Sequence, residues 1–192
     1  MRIPGFICAL VLLQLVFSSC NRGNSYSEIV NRELQSGKRV NDIFFDIKFG
    51  MASKDFYMYC WNMNKKGMFR DGLNNQYVLY KPKQDDFKHP VSMNFYPDFL
   101  NGKIARMRVL YQYDEWAPWN KGQYADSLIN DVLNYYKRAY PGGNPFLTIH
   151  NKQKGDIYVK VDGNRRITVG KLNDLYVKVD FTDLLTEKEL TN

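Results

Sequence analysis

One heptad occurs twice in this chain: residues 156–162 (DIYVKVD) return as 174–180 (DLYVKVD), with only Ile157 exchanged for Leu175. Apolar and polar residues alternate along both copies, the period of a strand that buries one face. The copies flank residues 165–169 (RRITV), which follow the turn signal Asp162-Gly163-Asn164. An antiparallel meander is therefore predicted. The alternation assigns Ile157, Val159, Val161, Leu175, Val177 and Val179 to a core. Tyr158, Lys160, Tyr176 and Lys178 then share the opposite face, joined by Arg166 or Arg165 according to register. Aromatic area beside cations makes that face the candidate ligand surface. A plain solvated strand face has the same alternation.

A helix precedes the meander. Ala125, Leu128, Ile129, Val132, Tyr135, Tyr136 and Ala139 recur at helical spacing, and Asp126, Asn130, Asp131, Asn134, Lys137 and Arg138 mark the other side. Acidic residues lead and basic ones trail, as the helix dipole favours, and Pro141-Gly142-Gly143 ends the run. Residues 146–149 form a short strand before the first heptad. An earlier stretch has the same order. Gly50 breaks an extended run, Ser53 is placed to cap a helix, and Phe56, Tyr57, Cys60 and Trp61 recur at helical spacing. Residues 76–81 read as a strand. Val91, Met93 and Phe95 alternate with Ser92, Asn94 and Tyr96, and a Pro-Asp and Asn-Gly turn region leads to Ala105, Met107, Val109, Tyr111 and Tyr113. A short helix at 27–35 opens the ordered part, and residues 38–48 read equally as strand or irregular core. The expectation is an α+β fold: two helix-plus-antiparallel-strands units, 27–120 and 121–192, packed as one domain.

The first residues read as an address. Arg2, the mostly apolar run from Phe6 to Phe17, and Ser18-Ser19-Cys20 have the order of a secretion signal. Spanning a bilayer takes about 20 apolar residues, more than this run supplies, so a permanent anchor is not expected. Phe17-Ser18-Ser19-Cys20 resembles a bacterial lipobox. That resemblance implies a signal peptide over 1–19, lipidation of Cys20, and a polar tether over 20–26. It leaves Cys60 as the one thiol of the three cysteines, because Cys8 departs with the signal. An ordinary cleaved signal is the second reading. Asn21 follows Cys20 and Glu28 is the first acidic residue, which leans toward an outer membrane, facing the periplasm.

Gly50-Met51, with Ser53 opening a helix ahead of antiparallel strands, resembles the small lipoproteins of the outer-membrane barrel-assembly machinery and the related beta-lactamase-inhibitor-like folds. The chain is also similar to uncharacterised bacterial envelope lipoproteins carrying Phe-Gly-Met and Trp-Ala-Pro-Trp-Asn segments. The resemblance implies an exported interaction module rather than an enzyme, and it carries over no functional residue.

Chemistry-bearing patterns are sparse. His89 and His150 stand apart, and no Cys-x-x-Cys, calcium-loop, phosphate-loop or nucleophile-elbow pattern occurs. No metal or cofactor is expected. The net charge of +7 suits an envelope protein or an anionic glycan or lipid as partner, and nucleic acid is not expected of an exported chain. Asp114-Glu115-Trp116-Ala117-Pro118-Trp119-Asn120 combines carboxylates with indoles, as sugar sites do, but adjacent residues of an extended chain point to opposite faces. Two readings follow. The preferred one is a membrane-tethered binding or scaffold module, with Trp116 and Trp119 plugging the junction between the units. The alternative is a glycan-binding or glycan-hydrolysing protein that uses the Trp116/Trp119 region.

Overall fold

A computed structural model describes residues 25–153 and 155–187. The segment read as a signal peptide, and Cys20, lie outside the described residues. Ser25 caps helix α1 (Tyr26–Gln35): its hydroxyl accepts the Glu28 amide while the Glu28 carboxylate accepts the Ser25 amide, a reciprocal capping box. Strands β1 (Asp42–Phe44) and β2 (Ile47–Lys48) form a tight hairpin inside the stretch left open between strand and irregular core. Its turn residues Phe45 and Asp46 both have positive φ, +52° and +64°, a conformation that disfavours phenylalanine. Packing offsets the strain, since the Phe45 ring lies 4.6 Å from that of Tyr80 and 5.5 Å from that of Phe69.

Helix α2 (Ser53–Lys65) begins at Ser53, with Ala52 at the capping position and no side-chain cap. The expected Ser53 cap is thus replaced by tertiary pairing: the Ser53 amide donates to the Gly102 carbonyl at 2.8 Å. Four strands follow, β3 (Phe69–Asp71), β4 (Val78–Tyr80), β5 (Val91–Leu100) and β6 (Lys103–Tyr113). The edge strand β3, three residues long, is too short to show a period in the sequence. Pro97, expected in a turn, stands inside β5 opposite Met107. The strand tolerates it because β4 pairs only with residues 93–95, so Pro97 has no neighbour on that side. The Asn-Gly turn forms as predicted, with φ of +50° at Asn101 and +72° at Gly102.

Helix α3 (Ala125–Ala139) precedes β7 (Leu147–Asn151), β8 (Gly155–Asp162), β9 (Arg165–Lys171) and β10 (Val177–Asp183). The eight longer-range strands form one antiparallel sheet in the order β3-β4-β5-β6-β10-β9-β8-β7. Two meanders, each behind a helix, meet where β6 pairs with β10. The architecture is α+β, with a two-stranded sheet beside an eight-stranded one.

The main core lies on one sheet face. Met93, Phe95, Val109, Tyr111, Val169, Val179 and Phe181 meet Leu128, Val132 and Tyr136 of α3, Phe56 of α2 and Ile43 and Ile47 of the hairpin. Each large apolar side chain so buried contributes about 1.5–3 kcal/mol. Two tyrosines enter this core as a pair, the Tyr111 and Tyr136 hydroxyls bonding at 2.8 Å. Asp131, read as a solvated residue of α3, is buried instead. It accepts the Tyr113 hydroxyl at 2.8 Å and the Lys88 amide at 3.0 Å. Helix α1 packs elsewhere: Ile29 forms a second, smaller core with Val159 and Val161 of β8.

Candidate functional site

The duplicated heptads decide which face is free, and they point in opposite directions. In β10, Val177 and Val179 face the main core, and Val179 stands level with Val169 of β9. In β8, the residue level with Val169 is Tyr158, and the residue level with Ile167 is Lys160. Tyr158 and Lys160 therefore lie on the core side, whereas Ile157, Val159 and Val161 lie on the other. A one-residue offset inverts every side chain of a strand. The cause is α1, which offers β8 an apolar partner on the face that β10 leaves polar. The predicted grouping of Tyr158 and Lys160 with Tyr176 and Lys178 is thereby corrected.

Lys160 is 3% exposed and cannot serve as a ligand group. Its ammonium donates to the carbonyls of Gly142 (2.5 Å) and Asn144 and pairs with Asp162 at 3.2 Å. Asp162 also accepts the Asn144 amide, and Arg165 stands 3.6 Å away while its guanidinium covers the Tyr140 ring at 4.6 Å. Gly143 has a φ of +74°, and a Cβ there would meet the Asp162 carboxylate at 1.7 Å. Glu33 of α1 accepts the Gly163 amide at 2.8 Å and the Asn144 side chain at 2.8 Å. Burial alone would raise the Glu33 pKa, but these hydrogen bonds with nearby Arg32 and Lys38 hold it below its ordinary value. This cluster ties α1 to the β8–β9 turn.

The opposite face of β5, β6, β9 and β10 carries charge in alternation. Lys178 pairs with Asp180 (3.0 Å), Asp180 with Arg106 (3.1 Å), Arg106 with Asp98 (3.4 Å) and Asp98 with Arg108 (2.9 Å). Arg166 belongs to this face, level with Thr182, and reaches Glu187 and the Tyr26 hydroxyl. Leu175, expected in the core, and Tyr176 are half-buried in the bend before β10, which begins at Val177, so strand alternation assigns neither a face. Arg106, Arg108 and Lys178 are each about one-third exposed. At the Arg108 end the face meets a cleft of about 440 Å³ lined by Tyr57, Asn75, Gln76, Tyr77, Tyr96 and Arg108. The Tyr57 and Tyr96 hydroxyls bond at 2.7 Å, which with burial pushes the Tyr96 hydroxyl up to about 12.

Alternation along β5 and β6, with Tyr96 level with Arg108, puts Tyr96, Arg106 and Arg108 on one face. Tyr57 and Tyr77 could not be found that way, because one comes from α2 and the other from the turn before β4. Buried Asn94 positions that turn by accepting the Leu73 amide at 3.1 Å.

Trp116 and Trp119 part company. Trp116 is half-buried, 5.9 Å from the Tyr124 ring, and its indole nitrogen is buried with no hydrogen-bond partner. Trp119 is 86% exposed, so it plugs no junction. The loop closes on itself instead, with Asn120 donating to Ala117 and the Tyr124 hydroxyl to Pro118. Asp114 is held by Lys81 and Ser92, each at 2.6 Å. Burial pushes the Cys60 thiol up to about 12, which leaves almost no thiolate at neutral pH. Cys60 packs against the main core. No family model, curated protein or solved structure matches the chain.

Proposed function

We propose that this chain is a membrane-tethered, exported lipoprotein acting as a non-catalytic binding or scaffold module in the cell envelope. One observation carries the reading. The sheet buries one face under α3 and turns toward solvent a ladder of alternating charge, from Lys178 through Arg106 to Arg108, that ends in an aromatic cleft. Paired side chains on neighbouring strands are held in fixed positions, and preorganised charge favours specific over diffuse recognition. The partner is an envelope protein or an anionic envelope polymer. Lipid on Cys20 and the short polar segment after it would hold this surface near an outer membrane, on the periplasmic side.

The test uses photo-crosslinking side chains at Leu110 and Thr168, on the polar face, and at Lys137 on the exposed side of α3. The expected result in native membranes is one discrete adduct from the first two positions and none from the third. Equal adduct patterns at all three positions would remove the reading. The tether is tested separately: Cys20→Ser should move the protein from the membrane to the soluble fraction.

The exposed Trp119 supports the glycan-binding alternative in part, since an unburied indole offers a stacking surface. Asp114, locked between Lys81 and Ser92, lends nothing to hydrolysis.

A further inference from the structure

The cleft beside Arg108 has a composition that narrows its ligand. Its lining holds one guanidinium, three tyrosines and two carboxamides, and no carboxylate. Asp98 stands 2.9 Å from Nε of Arg108, and the terminal nitrogens of that guanidinium make no hydrogen bond among the described residues. Two parallel N–H groups are free for a planar anion, the arrangement that grips a carboxylate bidentately. The Arg108 guanidinium carbon lies 6.0 Å from the Tyr77 ring centroid, so a ligand whose carboxylate sits on Arg108 can lay its C–H groups against that ring. Around it, Asn75, Gln76 and the paired Tyr57 and Tyr96 hydroxyls supply both donors and acceptors, as a ring bearing several hydroxyls requires. A volume of about 440 Å³ suits a ligand larger than an isolated phosphate or sulfate.

The turn that delivers Tyr77 is built for rigidity. Asn74 and Asn75 both have left-handed φ, +53° and +57°. A Cβ on Gly72 would lie 2.6 Å from the Asn94 side chain and 2.8 Å from the Tyr77 carbonyl, so no larger residue fits beneath the turn. Past Tyr77 the surface continues into a second cleft of about 250 Å³ that includes Trp61, Asn64 and Arg70, with one carboxylate, Asp71, beside Arg70 in the chain. The Lys65 ammonium covers the Trp61 ring at 3.3 Å. Aromatic rings with cations therefore recur on both sides of Tyr77, which matches a linear polymer better than a single unit.

We infer that this groove binds an acidic saccharide, one sugar ring against Tyr77 with its carboxylate on Arg108, and the next toward Trp61. The inference deepens the binding-module reading and rests on it, by naming the polymer class that this end of the polar face takes.

The test titrates the full-length chain in detergent micelles with trigalacturonate, its methyl-esterified neutral form, and tetraglutamate, followed by calorimetry. Trigalacturonate should bind at least about tenfold tighter than the neutral ester, the effect of one charged hydrogen-bonded contact. Arg108→Gln should remove that difference, Tyr77→Ala should weaken binding of the acid about tenfold, and Lys137→Gln should leave it unchanged. Both site variants must retain the unfolding midpoint of the parent for the comparison. Equal binding of acid and ester overturns the inference. So does equal binding of tetraglutamate, which would make the groove an acidic-peptide site, or an equal loss with Lys137→Gln, which would make the attraction diffuse. Absence of trigalacturonate binding, with crosslinks from Leu110 and Thr168 retained, removes the saccharide and leaves the module reading standing.

Discussion

β8 and β10 differ at one position of seven in their shared heptad, yet present it to opposite sides of the same sheet. In β10 the valines enter the main core and Lys178 joins the solvent-facing ladder. In β8 the valines pack under α1, and Lys160 turns inward to the carbonyls after α3. The first heptad is strand throughout and the second from Val177 on; the face comes from what lies on either side. An alternating strand states which residues belong together, and only its neighbours state which set is buried.

The sharpest way to break this comparison is to treat the two lysines alike. Lys160→Ala should destabilise the fold by about 3–5 kcal/mol, since it leaves Asp162 buried without its nearest cation. Denaturant unfolding reads this directly. The valines come next. Val179→Ala and Val159→Ala each remove two buried carbons, worth about 2 kcal/mol. Their patterns should differ: hydrogen exchange should rise throughout the sheet for Val179→Ala, but first in α1 for Val159→Ala.

Acidification should separate the same two regions. The folded pKa of Glu33 is depressed, so the stability it contributes is present above the ordinary carboxylate value and is lost as pH falls through the folded one. Exchange of α1 amides should therefore accelerate below about pH 4 while that of α3 amides does not, and Glu33→Gln should flatten the response. Lys178→Ala has the smallest expected effect. Its pair with Asp180 is partly solvated, and the loss should stay within about 1 kcal/mol.

The elements were legible because their periods are strong: the α3 stripe, the β5–β6 alternation around Asn101-Gly102, and the heptads. Strand β3 was not, since three residues carry no period. Asp131 was misplaced because helical spacing alone does not reveal that the Tyr113 hydroxyl reaches it. The candidate site was half legible. Lys178 and Arg166 lie on the solvent-facing side as one reading of the alternation required, whereas Tyr176 falls just before β10. Tyr158 and Lys160 do not lie there, because nothing in their own heptad announces that α1, over 120 residues earlier, occupies the face they were expected to share with Lys178. Tyr57, Tyr77, Tyr96 and Arg108 come from four separate segments, and only folding assembles them.

Residue-resolved acetylation of the lysines in the native protein, read by mass spectrometry, tests the central claim that the Lys178 side of the sheet is the available face. Lys178 should be modified readily, and Lys160 only after unfolding. Modification of Lys160 as fast as Lys178 under native conditions would contradict it.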